Sequence, residues 1–322
     1  MSGKPAILVG RKLPPAVEAR LLRDYEPILN PSDKVYTAEE IIALSSRVDA
    51  ILPCHTEHLP ADVIARLSDR VKAIANFSVG YDHVDVAAAK KRGIIVTNTP
   101  DVLSDATAET AILLMLAAAR RASEGERLVR SQGWKDWSPS FMVGTQITGK
   151  RYGVIGMGRV GQVAAKRARG FDMEIHYYNR KKLDPALEQG ATFHANVDDL
   201  LANADVLSIH CPATAETRGL LNAERIARLP DGAVIVNTSR GAVVDDEALI
   251  AALKSGKIAA AGLDVFNGEP ENIHPGYRTL DNVFLLPHIG SATKETRDGM
   301  GFRALDNLDA IFAGKEPKDR VA

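Results

Sequence analysis

Arg151-Tyr152-Gly153-Val154-Ile155-Gly156-Met157-Gly158-Arg159-Val160-Gly161-Gln162 is the stretch that decides the fold. It places a Gly-x-Gly-x-x-Gly turn directly after an apolar, strand-like run and directly before a helical one. Each glycine has a separate physical task. Gly156 permits the tight turn, Gly158 lets a pyrophosphate approach the backbone, and Gly161 lets helix and strand pack closely. The unpaired N–H groups at the start of the following helix then face the phosphates. Glycine turns are common, so the spacing alone is weak evidence. Its position between strand and helix, with a second strand following, gives it weight.

Outward from this turn the same alternation continues in both directions. Short β-branched runs at Ala6–Gly10, Val48–Pro53, Val71–Phe77 and Gly93–Asn98 precede it. Arg151–Ile155, Met173–Tyr178, Ala204–His210, Ala233–Thr238, Ala259–Val265 and Val283–Leu286 continue the series, with alanine-rich helical segments between. Near-continuous apolar runs fit strands buried on both faces. The sequence therefore predicts an α/β chain of two Rossmann-like, doubly wound parallel-sheet domains. Ala106–Arg130 reads as one long helix whose apolar positions Ile112, Leu113, Met115 and Leu116 suit core or a dimer seam. Gly133–Lys150, with Trp134, Trp137 and Pro139, reads as an irregular connection. The polar tail after Gly314 reads as loose.

The chain's 322 residues suffice for two domains. A formal net charge of -1 gives no electrostatic reason to expect nucleic acid or an acidic membrane as partner. Two cysteines, Cys54 and Cys211, are too few for a zinc site or a disulfide framework. No apolar stretch approaches the roughly 18 residues of a membrane span, and Ala6–Val9 is too short for a signal core. A soluble cytoplasmic protein without a metal is expected.

About 20 residues past the glycines, a carboxylate would hold the ribose 2′-OH of NAD. Asn179-Arg180-Lys181-Lys182 stands there instead. A neutral amide followed by cations suits a 2′-phosphate, and so NADP, with NAD bound more weakly. The plainer reading is a solvated basic loop.

Three separated segments place reactive residues after predicted strands: Asn237-Thr238-Ser239-Arg240-Gly241, Gly262 to Pro270 with Asp264 and Glu269, and Pro287-His288-Ile289-Gly290. Ligands of open α/β sheets bind outside the carboxyl ends of strands, where such loops converge. An arginine can grip a carboxylate through two parallel hydrogen bonds. A histidine can deliver a proton to a developing alkoxide, and a carboxylate beside it orients the ring. Taken singly, Glu269 reads as a turn carboxylate before Pro270 and Arg240 as a surface ion-pair partner. Their joint placement downstream of the glycine turn favours the catalytic reading.

With Asn76 to Asp85, Asn237 to Asp245 and Pro287 to Thr293 added, the chain resembles the D-isomer-specific 2-hydroxyacid dehydrogenase family over nearly its whole length, and within it the glyoxylate/hydroxypyruvate reductases. The resemblance implies a substrate domain of residues 1–99 and 289–322, with a cofactor domain of residues 100–288 inserted in it. It implies Arg240, Glu269 and His288 as catalytic residues. Ser78, Val79, Gly80 and Trp137 join Arg240 and His288 at the substrate, Trp137 reaching a partner subunit's site in a homodimer. Thr107, Gly156, Gly158, Arg159, Val160, Gly161, Asn179, Arg180, Lys181, Cys211, Pro212, Thr238, Asp264 and Gly290 are the implied cofactor residues. Many members carry an acidic residue where Asn179 stands, and its replacement, with Arg180 and Lys181 following, is similar to the NADPH-using reductases. The implied reaction is reduction of a small 2-oxo acid to a 2-hydroxy acid. D-3-phosphoglycerate or D-lactate oxidation, or a nucleotide-sensing corepressor-like protein, are the alternatives on the same frame.

Overall fold

The computed structural model describes residues 3–322. The chain forms two compact units: residues up to Leu103 joined by Ala292–Ala322, and Ser104–Ser291 inserted between them. The first unit holds β1 (Ala6–Val9), β2 (Glu26–Ile28), β3 (Ala50–Leu52), β4 (Ala73–Ala75) and β5 (Ile95–Thr97). They form one parallel sheet in the order β2-β1-β3-β4-β5. The second unit holds β6 (Arg151–Ile155), β7 (Glu174–Tyr178), β8 (Thr192–His194), β9 (Val206–Ile209), β10 (Ala233–Asn237), β11 (Ile258–Leu263) and β12 (Val283–Leu285). Their order is β12-β11-β10-β9-β6-β7-β8, again parallel throughout.

Successive side chains of each central strand enter opposite cores, because the pleat alternates. Val234 and Val236 of β10 pack into one apolar cluster with Tyr152 and Val154, while Ile235 packs into another with Ile155 and Leu207. In the first unit, Leu8, Ile51 and Ile74 serve one face, and Ile7, Val9 and Leu52 the other. Burial on both faces explains why these strands read as unbroken apolar runs. No apolar run in the amino-acid pattern marks β2 or β8. Both are edge strands of three residues, with an exposed first residue, Glu26 and Thr192, and half-buried successors.

Two expectations are corrected. The single helix over Ala106–Arg130 is two, Ser104–Ala119 and Ala122–Arg130. The chain breaks at Arg121, which sits in the left-handed region at φ 52°. The Ala119 carbonyl there accepts from the Thr145 amide at 2.7 Å, and the Arg121 guanidinium turns to Glu124 at 2.9 Å. The first helix is buried along Ala111, Leu114, Met115 and Ala118, and lies so close to β11 that a Cβ on Gly262 would be 2.6 Å from the Leu114 carbonyl oxygen. The second helix buries no residue. Leu113 is exposed, so the apolar run wraps round the helix and does not form one stripe.

The tail after Gly314 is not loose. Val321 donates to the Val96 carbonyl at 2.8 Å, Val96 donates back to Ala322 at 3.0 Å, and Arg320 pairs antiparallel with Thr97. These bonds cover the open edge of β5, which would otherwise present unpaired groups. Asp319 is buried and accepts from Arg303 at 2.8 Å and Asn307 at 3.0 Å. Burial pushes its carboxyl up, but those partners outweigh burial and leave it below its ordinary value. The Gly133–Lys150 connection is irregular, with Trp134 and Trp137 both exposed. Among the described residues no helix is long and apolar enough to cross a membrane.

Candidate active site

In the second unit, β6 runs into the glycine turn and the helix Arg159–Arg169 leaves it. Gly156 has φ 93°, and a Cβ there would meet the Cys211 amide nitrogen at 2.7 Å. A Cβ on Gly161 would be 2.4 Å from the Gly156 carbonyl oxygen. Both positions therefore exclude side chains because of the protein's own packing. Gly158 differs: no atom lies within 4 Å of where its Cβ would be. Nothing in the fold requires glycine there, whereas a pyrophosphate approaching the helix start does. That open cradle fits a dinucleotide.

Asn179 follows β7, and its carbonyl oxygen accepts from the Met157 amide at 2.7 Å. The Asn179 NH₂ donates back to the Met157 carbonyl at 3.5 Å, so the side chain braces the glycine turn from both ends, and its second N–H has the polarity that an anionic phosphate requires. Arg180 and Lys181 are exposed beside it, and Lys182 lies 3.7 Å from Glu188. Arg159 and Val160 open the helix. Cys211 is buried with its backbone against Gly156, and burial pushes its thiol up to about 11. Pro212 is exposed on the same loop, its carbonyl accepting from Thr217 at 2.5 Å.

At the carboxyl ends of β11 and β12, the His288 Nδ1 lies 2.5 Å from Glu269 Oε1. The second Glu269 oxygen accepts from the Phe266 amide at 2.8 Å, which fixes the carboxylate in its own loop. His288 has φ 55°, a left-handed conformation uncommon outside glycine and characteristic of constrained functional sites. Asp264 holds it there. The Asp264 main-chain oxygen accepts from His288 at 2.9 Å, and its carboxylate accepts from Ile289 at 2.8 Å and Gly290 at 2.7 Å. Burial pushes the Asp264 carboxyl up against those two amide bonds. Thr107 packs against Gly290 from the buried helix.

Arg240 follows β10. Asn237 clamps its turn by donating to the Arg240 carbonyl at 2.9 Å and accepting from Ser239 at 3.0 Å, while Arg240 Nη1 donates to Ser239 at 2.8 Å. Gly241 then packs onto the backbone of Phe266 and Asn267, in the loop that carries Glu269. The structure therefore joins Glu269 and His288 directly and seats the Arg240 turn on the same loop. In the first unit, Ser78, Val79 and Gly80 follow β4. Ser78 accepts from Thr99 at 2.9 Å, Val79 from Asn98 at 2.8 Å, and Gly80 from the Ser78 hydroxyl at 2.6 Å. Their carbonyls are engaged within the unit, so this turn is stiff. Trp137 lies on the exposed connection, apart from any secondary-structure element. Sequence reasoning missed Asn237 and Gly241 as parts of this scaffold, although both lie inside a segment it singled out. It also missed the bracing roles of Asn179 and Asp264. Among the described residues no group of three or more histidines, cysteines or carboxylates could hold a metal ion.

Residues 112–290 match the family model described as D-isomer specific 2-hydroxyacid dehydrogenase, NAD binding domain. The chain is 44% identical to a glycerate dehydrogenase of Hyphomicrobium methylovorum, covering 97% of this chain and 98% of that one. A solved structure of a putative D-isomer specific 2-hydroxyacid dehydrogenase from Polaromonas is 46% identical, with a TM-score of 0.94 over 99% of this chain and 100% of that one. An NADPH-dependent glyoxylate/hydroxypyruvate reductase from Sinorhizobium meliloti, solved with NADP and malonate, is 35% identical, with a TM-score of 0.88 over 99% and 97%.

Proposed function

The chain belongs to the D-isomer specific 2-hydroxyacid dehydrogenases, and from that premise we propose that it reduces glyoxylate and hydroxypyruvate to their 2-hydroxy acids, with NADPH preferred over NADH. One observation carries the reading. A histidine and a carboxylate are paired at 2.5 Å at the strand ends of the sheet that bears the glycine turn. The glycerate dehydrogenase relative supports the substrate class, since glycerate is what hydroxypyruvate becomes on reduction. The Sinorhizobium reductase, solved with NADP, supports the cofactor.

Gly156, Gly158, Gly161 and the amides of Arg159 and Val160 hold the pyrophosphate. Asn179, Arg180 and Lys181 hold the 2′-phosphate, and Thr107, Cys211, Pro212, Thr238, Asp264 and Gly290 line the remainder. The reduced cofactor supplies a hydride to the carbonyl carbon. Arg240 grips the substrate carboxylate and polarises the adjacent carbonyl, with the Ser78, Val79 and Gly80 turn as a further carboxylate-binding element. His288, oriented by Glu269, gives its proton to the carbonyl oxygen, so that one hydride and one proton complete the alcohol. Exposed Val129, Trp134, Trp137 and Val143 are apolar side chains in need of cover, which supports a homodimer.

The direct test is a panel of small 2-oxo acids, each run with NADPH and with NADH. Glyoxylate and hydroxypyruvate are expected to lead the panel, and NADPH to outperform NADH. A protein that binds NADPH and turns over none of the acids would overturn the enzyme reading. Replacing Arg180 and Lys181 together with serine is expected to erode the NADPH advantage about 10-fold or more, the worth of a charge-assisted hydrogen bond or two. An unchanged NADPH-to-NADH ratio would refute the basic-loop argument.

A further inference from the structure

Beneath Thr238 lies a row of polar groups that the proposed chemistry does not use. Tyr152 of β6 is wholly buried and turns its hydroxyl toward Ser208 of β9, short of a regular hydrogen bond, and has no hydrogen-bond partner among the described residues. Ser208 is also wholly buried, and its Oγ lies 2.8 Å from His210 Nε2. His210 Nδ1 lies 3.4 Å from Thr238 Oγ1. The His210 amide donates to the Ile155 carbonyl at 2.8 Å, immediately before the glycine turn. The row thus starts in the sheet interior and ends at the carboxyl end of β10, two residues before Arg240.

The direction of these bonds follows from what each group can donate. A buried phenol has one proton, and the Ser208 oxygen lies in front of it. Ser208 then has its own proton for His210 Nε2. Burial pushes His210 down to about 4, so the ring is neutral at physiological pH and carries one N–H. With Nε2 accepting, that N–H sits on Nδ1 and points at Thr238. A threonine oxygen that accepts from Nδ1 keeps its proton for another acceptor. A lone polar histidine in a core has a simpler role, satisfying its neighbours. Here the far end of the chain is a hydroxyl at the strand ends, where ligands of such sheets bind.

We propose that His210 is a positioning residue that holds the Thr238 hydroxyl as a hydrogen-bond donor to an acceptor oxygen of the bound dinucleotide. The proposal rests on the dinucleotide reading given above. It makes Ser208 and Tyr152 the outer members of the same relay, setting the ring's tautomer from behind.

The test compares His210→Leu, His210→Asn, Thr238→Val and the double variant His210→Leu/Thr238→Val. NADPH and NADH dissociation constants are read by fluorescence titration, with steady-state kinetics alongside. His210→Leu is expected to weaken dinucleotide binding about 5- to 100-fold, the value of one buried hydrogen bond and its orphaned partner. The loss falls on the cofactor KM far more than on kcat. His210→Asn, whose side-chain amide can donate from near the place of Nδ1, recovers most of the affinity. Thr238→Val matches the loss, and the double variant is no worse than either single change, because both remove one interaction. Additive losses, an asparagine as poor as leucine, or unchanged affinity in His210→Leu overturns the proposal. Thermal melting accompanies each variant. If His210→Leu does not fold, the comparison of His210→Asn with Thr238→Val decides: binding kept by the first and lost in the second supports the relay, and any other pattern overturns it. A wild-type protein that binds neither dinucleotide would instead remove the functional reading on which the relay rests.

Discussion

His288→Ala is expected to lower turnover of 2-oxo acids by about 10²–10⁴-fold, the usual contribution of a positioned proton donor, and to leave dinucleotide affinity unchanged. The His288 ring is tied through Nδ1 to Glu269 at 2.5 Å, and Glu269 is tied in turn to the Phe266 amide at 2.8 Å. A ring held this way has one nitrogen occupied in orientation, so Nε2 is the atom that transfers the proton. The left-handed backbone at His288 is fixed separately by the Asp264 main-chain and carboxylate oxygens. Truncation to alanine therefore removes the donor and leaves its turn anchored. The glycine turn and the Asn179–Lys181 loop belong to other segments and keep their own bonds. Single-turnover kinetics with bound NADPH separates the two quantities. Turnover near the wild-type rate, or a loss of NADPH affinity as large as the loss of rate, would deny His288 the role of donor.

The legible part of the sequence was the part under two simultaneous constraints. Strands such as β10, buried on both faces, leave an uninterrupted apolar signature, and the glycine turn must satisfy both packing and ligand. β2 and β8 escaped because an edge strand is paired on one side only and its side chains need not be apolar. The break at Arg121 escaped for a different reason. No proline or glycine marks it, and it is made by a tertiary bond from Thr145, distant along the chain. The docked tail is similar: Asp319 and Val321 look like solvated termini until Arg303, Asn307 and the β5 edge are brought beside them. In the site, sequence reading singled out Arg240, Glu269, His288 and Asp264 as residues, and missed the bonds that hold them in place. Asp264 bonds to Ile289 and Gly290, and the His210 ring lies against Thr238, all far away in sequence, and such partners leave no local pattern.

Gly241→Ala carries the other large effect, and it tests whether the Arg240 and Glu269 loops must touch. A Cβ on Gly241 would lie 2.0 Å from the Phe266 carbonyl carbon, 2.3 Å from the Asn267 nitrogen and 2.5 Å from the Phe266 oxygen. All three are backbone atoms, so no side chain can swing aside. The Glu269 loop cannot simply retreat either. Asn267 is pinned to the Val244 carbonyl at 3.2 Å and to Asp246 at 2.9 Å. The methyl group must prise Arg240 and Glu269 apart, and overpacking of this kind destabilises by about 1–3 kcal/mol or more. Displacing a catalytic group by an ångström lowers rate about 10²-fold, so kcat is expected to fall further than the unfolded fraction explains. Gly256→Ala is the control. Gly256 caps the helix Asp246–Ser255 at φ 79° with no atom within 4 Å of its would-be Cβ. An alanine there strains the backbone and lowers the melting temperature without pushing on any loop of the site. If kcat, read well below either melting temperature, falls for Gly241→Ala and holds for Gly256→Ala, contact between the two loops sets the catalytic geometry. Equal kcat in both variants would show that the two loops work without that contact.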